Sequence, residues 1–104
     1  METLIDSKFT ENTEAIISQF GFKNLKSFIK NQALLMLMAK IEKFEAENKR
    51  FESKYHSSFD DFKKSMEEMR GVEEFEKEDD YLDWRFAVEA KERLNKQRLE
   101  LENA

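Results

Sequence analysis

The chain has 104 residues, of which 39% are hydrophobic and 39% are charged, with a formal net charge of −5. A chain of this length forms one domain or a short domain with an appendage, and so high a charged fraction leaves only a thin core. The absence of cysteine excludes disulfides and thiolate metal sites. The chain has no proline and only two glycines, and good helix formers are abundant. We therefore expect an all-α fold of three or four helices.

The beginning of the chain carries no apolar segment of signal-peptide length. The longest apolar run, residues 33–39, is too short to span a bilayer. The sequence therefore predicts a cytoplasmic protein that does not bind membranes.

The N-terminal part is weakly patterned over residues 1–10, which we expect to form a short strand or an arm. A short helix is predicted from Thr13 to about Phe20. Gly21 fits the left-handed position at which many helices end.

A long central helix is predicted over residues 25–56, with Asn24 as its N-cap. Its hydrophobic side chains alternate steps of three and four residues, which is the a/d heptad pattern of coiled coils. This row consists of Leu34, Leu37, Ile41, Phe44, Asn48, Phe51 and Tyr55. We interpret the row as the seam of a dimeric helical bundle or coiled coil, with Asn48 fixing register at an a position. The alternative is an ordinary amphipathic helix that packs in the core of its own chain.

A short third helix is predicted after the long one. Ser57 and Ser58, followed by Asp60 and Asp61, have the spacing of a helix start that resembles a capping box. Gly71 is the predicted end of this helix.

The last helix is predicted to begin at Asp79 or Asp80, where acidic side chains favour the positive end of the helix dipole. The acidic residues before it are expected to form a linker or a loose first turn, and its charged half from Lys91 is expected to fray. These patterns divide the chain into a helical dimerisation region, residues 1–71, and a possible partner-binding region, residues 72–104.

Sets of residues with catalytic or metal-binding spacing are incomplete. His56 is the only histidine, and with Glu52 it supplies only part of a metal site. Glu42 and Glu45 form the ExxE spacing with which helical nucleotide pyrophosphohydrolases hold magnesium. Similar spacing recurs in Glu76 and Asp79 and in Asp80 and Asp83. Such pairs arise by chance in so acidic a chain, so we expect no enzyme, catalytic residue, metal or cofactor, with a magnesium-dependent hydrolase as an alternative.

Residues 21–34, GFKNLKSFIKNQAL, resemble the turn and second helix of ribbon-helix-helix proteins. In that family the helices build an intertwined dimer whose paired strands read the DNA major groove. The resemblance extends over about residues 13–40 and implies a dimer core near the N-terminus. Residues 1–10 depart from the family because Lys8 is their only basic residue, which argues against DNA binding.

Residues 44–55 and 78–87 resemble, in their general pattern, small prokaryotic helical proteins that are encoded beside a toxin and are presumed antitoxins. The resemblance implies a non-catalytic protein whose C-terminal segment covers a partner encoded nearby, by matching acids to a basic cleft and inserting aromatic anchors. The predicted partner-binding residues are Asp79, Asp80, Tyr81, Asp83, Trp84 and Phe86. One alternative is that these aromatic side chains lie in the core of their own chain. Another is that the protein is a structural coiled-coil or adaptor protein.

Overall fold

The computed structural model describes residues 7–69 and 74–104. The helices in these two ranges are α1 (Ser7–Ser18), α2 (Leu25–Tyr55), α3 (Phe59–Glu68) and α4 (Phe75–Glu102). The predicted all-α fold with a long central helix is therefore confirmed for this part of the chain. No helix within it combines the length and the apolar character needed to cross a bilayer. The chain divides into two compact units, Met1–Met36 and Leu37–Ala104, and the division falls within α2.

The first helix covers Ser7–Ser18, so the predicted start at Thr13 is wrong. The strand or arm predicted over residues 1–10 is wrong for residues 7–10, which are helical, and the rest of it lies outside the described residues. Its first turn contains a single apolar side chain, which is too little to reveal a helical period in the sequence. The predicted end is confirmed, because Gly21 follows with φ 92°. The Gly21 N–H donates to the Ser18 carbonyl and the Phe22 N–H donates to the Ile17 carbonyl, each at 3.2 Å. This pair of bonds is the Schellman arrangement, which satisfies the last carbonyls of a helix.

The long helix begins at its predicted cap. The Asn24 Oδ1 accepts a hydrogen bond of 2.9 Å from the Ser27 N–H. The Glu14 carboxylate accepts a second bond, of 2.8 Å, from the Leu25 N–H. Because these two acceptors satisfy N–H groups of the first turn that have no partner within the helix, they fix its start.

The turn from α2 into α3 follows the sequence-based prediction. α2 ends at Tyr55, and the exposed His56 adopts φ 51°, the left-handed conformation that reverses the chain. The Ser58 hydroxyl then caps α3 by accepting a hydrogen bond of 3.2 Å from the Asp61 N–H. The predicted end of α3 at Gly71 lies outside the described residues, and the helix ends at Glu68.

The last helix begins at Phe75 and continues to Glu102, so the predicted start at Asp79 or Asp80 is wrong. Two acidic residues lie in its first turn. The positive end of the helix dipole stabilises them there, so the acidity that indicated a linker instead favours the helix. Beyond Lys91, where fraying was expected, the helix is continuous to Glu102.

In the unit Leu37–Ala104, α4 runs antiparallel to α2. Three side-chain contacts give the direction, namely Lys54 with Asp80, Asn48 with Trp84 and Glu45 with Lys91. Rising residue numbers along one helix meet falling numbers along the other. α4 therefore returns along the part of α2 that belongs to this unit. The predicted division into a dimerisation region and a partner-binding region stays a prediction.

The core of this unit is a cluster of six aromatic side chains. They are Phe51 and Tyr55 from α2, Phe59 and Phe62 from α3, and Tyr81 and Trp84 from α4, and we call them the aromatic cluster. Phe51 and Trp84 have no exposed surface, and their rings stack with centroids 5.5 Å apart. The Phe62 ring lies 5.1 Å from the Trp84 ring. Such ring pairs contribute about 0.5–1.5 kcal/mol each beyond the burial of their area.

Phe51→Ala is expected to lower the free energy of unfolding by about 3–5 kcal/mol, because it leaves a cavity beside Trp84. Urea denaturation followed by the fluorescence of Trp84, the one tryptophan in the chain, measures this change. Leu99→Ala removes a side chain of α4 that is 51% exposed and is the matched control. The control should change the free energy of unfolding by no more than about 0.5 kcal/mol, and a comparable effect of both variants would contradict the assigned core.

Candidate functional site

The C-terminal half of the predicted seam contacts other parts of its own chain. The Asn48 Oδ1 accepts a hydrogen bond of 2.8 Å from the Trp84 indole N–H. Phe51 is fully buried, and the Tyr55 hydroxyl donates a hydrogen bond to Asp80. A side chain without exposed surface offers none to a second molecule, so Phe51 follows the alternative interpretation of an intrachain core. The dimer seam as a whole stays a prediction.

The other four residues of the row are half-buried. These residues are Leu34, Leu37, Ile41 and Phe44. The ring of Phe44 meets the ring of Phe86 edge to face, with centroids 5.8 Å apart. α4 therefore approaches the row at Phe44 as well as at Asn48 and Phe51.

A polar cluster lies beside the aromatic cluster, where the end of α2 meets the start of α4. The Lys54 Nζ lies 2.6 Å from the Asp80 Oδ2 and 2.8 Å from the Glu76 Oε1. The Tyr55 hydroxyl donates to the same Asp80 oxygen. The Asp80 side chain is only 16% exposed, so its charge is neutralised within the chain and little of it is offered to a partner. We call these four residues the Asp80 cluster.

The Asp80 cluster shifts the pKa of three of its members. Burial raises the pKa of Asp80, but hydrogen bonds from Lys54 and Tyr55 outweigh it, so the pKa of this carboxyl lies below its ordinary value. Burial and the hydrogen bond to Asp80 raise the pKa of the Tyr55 hydroxyl to about 12. Hydrogen bonds to Asp80 and Glu76 raise the pKa of Lys54 above its ordinary value. The cluster thus holds an ionised carboxylate, an ionised amine and a neutral phenol.

The predicted partner-binding residues of α4 fall into an inward set and an exposed set, and Phe86 of the exposed set also meets the Phe44 ring of α2. Asp80, Tyr81 and Trp84 face inward, and Tyr81 stacks on Phe59 with ring centroids 5.8 Å apart. Asp79, Asp83 and Phe86 are exposed. Residues three or four apart share a helix face, so the side chains that support the fold alternate along the chain with those that meet solvent.

The outward side of α4 carries a row of hydrophobic side chains that the sequence analysis missed in part. Phe75, Leu82 and Phe86 are 69%, 58% and 62% exposed. Their spacing of seven and four residues places them on one helix face. The exposed acidic residues beside the row are Glu78, Asp79, Asp83 and Glu89. We call this surface the outer face of α4, and the spacing of its hydrophobic residues would have revealed it had the helix been predicted to start at Phe75.

The acidic pairs proposed for magnesium are partly neutralised by lysines. Glu45 pairs with Lys91, whose hydrogen bond holds the pKa of this carboxyl below its ordinary value. Glu42 lines an open groove between α2 and α4, together with Arg98. Within residues 7–69 and 74–104, no three His, Asp or Glu side chains form a group that could hold a metal ion. The hydrolase alternative stays a prediction.

Comparisons with models of protein families, with curated proteins and with solved structures find no match for this chain. The resemblances to ribbon-helix-helix proteins and to helical antitoxins therefore stay predictions.

The Asp80 cluster is expected to make folding sensitive to acid. Since the folded-state pKa of Asp80 lies below the unfolded value of about 3.9, its charge stabilises the fold above that pH. This stabilisation is lost as the pH falls from about 5 through the lowered folded-state pKa. In Asp80→Asn, the urea midpoint should fall less steeply than in the wild type between about pH 5 and pH 3. Asp79→Asn, at the exposed neighbouring residue, should keep the wild-type slope, and equal slopes for all three proteins would contradict the role of Asp80.

Proposed function

We propose that this protein is a non-catalytic, antitoxin-like binding module that covers a partner protein with the outer face of α4. The observation that carries the proposal is the exposed row of Phe75, Leu82 and Phe86, each of which has more than half of its surface in solvent. A row of large hydrophobic side chains on one helix face is the form in which helices insert into hydrophobic grooves of other proteins.

The charge of the outer face of α4 limits the kind of partner that it fits. Acidic side chains stand on both sides of the hydrophobic row, Glu78 on one side and Asp79 and Asp83 on the other, whereas Glu89 is paired with Arg85. They repel the phosphates of nucleic acids and attract a surface rich in lysine and arginine. The matching partner surface is a hydrophobic groove with a basic rim, and a basic ribonuclease cleft has this character.

The inner face of α4 holds the helix against α2 and α3, and this supports the proposal. Trp84 and Tyr81 fix it against α2 and α3 through the aromatic cluster. A helix that is ordered before binding loses little conformational entropy in the complex, so its exposed anchors contribute more of their energy to affinity. Trp84 and Tyr81, which the sequence indicated as anchors, therefore serve the binding surface as its scaffold.

Leu82→Glu and Phe86→Glu are expected to weaken binding to the partner protein by about 100-fold or more, because each places a charge in the hydrophobic centre of the interface. The partner is sought by co-expressing the chain with the product of each adjacent gene and measuring the affinity of any complex by calorimetry. Leu99→Glu introduces the same charge at another exposed leucine of α4 and should leave the affinity unchanged. Circular dichroism and Trp84 fluorescence confirm that every variant is folded.

Two results would contradict this proposal. One is that neither adjacent gene product binds the chain. The other is that a bound product keeps its full toxicity in growing cells, which would favour the structural or adaptor alternative.

Asp79→Lys combined with Asp83→Lys should chiefly slow association with the partner and reduce the dependence of its rate on salt, since charges at the rim of an interface act mainly on the encounter of the two proteins.

A further inference from the structure

An open groove runs between α2 and α4 on the side where α3 begins. Met38 and Ile41 of α2 line one end of it together with Asn95 of α4. Asn95 also lines the wider end, with Val88 of α4 and with Phe59, the first residue of α3. This wider end encloses about 490 Å³. We call the whole surface the α2–α4 groove.

The α2–α4 groove has the length and the floor that a short helix needs. It extends along α2 from Met38 to Asn48, which is about 15 Å at a helical rise of about 1.5 Å per residue. Its floor includes Met38, which is 47% exposed, and the half-buried Ile41 and Val88. Side chains of two packed helices form ridges and grooves into which a third helix fits. α3 takes that place over the aromatic cluster, and only its first turn reaches the α2–α4 groove.

The basic side chains that line the groove, Lys91 and Arg98, are already paired within the chain. Lys91 forms an ion pair with Glu45. The Arg98 Nη1 lies 3.0 Å from the Glu102 Oε2. The groove therefore offers little positive charge to another molecule.

The unpaired charge of the groove is acidic. Four of its lining carboxylates make no ion pair or hydrogen bond with the described side chains, namely Glu42, Glu52, Asp60 and Glu92. They are spread along the groove, and over residues 7–69 and 74–104 no three acidic side chains are grouped so as to hold a metal ion. Separate carboxylates along an apolar floor match lysine and arginine, whose alkyl stems cover apolar surface while their charged ends reach an acid.

We infer that the α2–α4 groove binds an amphipathic helix of a partner protein, one whose hydrophobic stripe is flanked by lysine or arginine. The stripe contacts Met38, Ile41 and Val88, as in other complexes in which a helix lies in a hydrophobic groove. The flanking basic side chains pair with the four unpaired carboxylates. The groove is a different surface from the outer face of α4, so the inference does not rest on the proposed function.

Calorimetric titration of the full chain with a synthetic peptide tests this inference. The peptide has about 18 residues, which is long enough to form some helix in water, and carries leucines at helical spacing with lysines on both sides of them. It should bind with a dissociation constant of about 1–100 μM. The matched peptide has glutamate in place of every lysine. It should bind at least about tenfold more weakly, because like charges then face the unpaired carboxylates.

Variants of the chain test the position of the site. Glu42→Lys and Glu92→Lys should each weaken binding of the lysine peptide by about tenfold or more, since each places a like charge in the groove. Glu100→Lys makes the same change of charge at an exposed residue of α4 outside the groove, and should weaken binding by less than about twofold. Leu82→Glu, on the outer face of α4, should bind the peptide no more weakly than the wild type, which separates this inference from the proposed function. Circular dichroism must show wild-type helix content in all four variants.

Methyl NMR spectra locate the bound peptide directly. The methyl resonances of Met38, Ile41 and Val88 should shift when the lysine peptide is added, whereas those of Leu82 should not. Shifts at Leu82 without shifts at Val88 would place the peptide on the outer face of α4 and overturn the inference. It is overturned too if the lysine peptide does not bind up to about 1 mM, or if both peptides bind equally well. Equal effects of Glu92→Lys and Glu100→Lys have the same consequence.

Discussion

Trp84 holds together the three helices of residues 37–104. Its ring contacts Phe51 from α2 and both Phe59 and Phe62 from α3. Its indole N–H is satisfied by Asn48, so the ring is buried without leaving an unpaired donor. Because these contacts fix one face of α4 against the rest of the unit, helical geometry turns Phe75 and Leu82 to solvent, and Phe86 stays largely exposed although its ring meets Phe44. The outer face of α4 is therefore a consequence of how Trp84 is packed.

Residues 7–36, the described part of the N-terminal unit, contain one buried side chain, Ile17, and no comparable aromatic cluster. In its described part, the rings of Phe22 and Phe28 meet edge to face, with centroids 5.3 Å apart. Phe20, by contrast, is 74% exposed. The two units thus differ in both core and charge, since one is neutral with a very small core and the other is acidic with an aromatic core. The proposed function rests on the second of these units, whose acidic surface suits a basic partner.

The features that the sequence predicted correctly depend on local chemistry. Asn24, Ser58 and Gly21 mark helix ends because capping bonds and a positive φ involve only neighbouring residues. The heptad row was also identified, but periodicity specifies which helix face is buried and not which molecule covers it. Asn48 illustrates the difference, because its partner Trp84 lies 36 residues away along the chain. The start of α4 was misplaced because acidic composition was given more weight than the helix dipole that stabilises it.

The polar contacts between α2 and α4 define the register in which the two helices meet. Three contacts lie along the helix pair, namely those of Lys54 with Asp80, Asn48 with Trp84 and Glu45 with Lys91. All three would be lost together if α4 slipped or rotated. Partly exposed ion pairs add little net stability to a fold. Losing the partner of a buried polar group is costly, however, so a different register of α4 on α2 would be disfavoured. These contacts therefore select one arrangement of the two helices more than they raise its stability. A rotated α4 would bury Leu82 and expose Trp84. The polar residues between the helices therefore decide which hydrophobic side chains α4 offers to another protein.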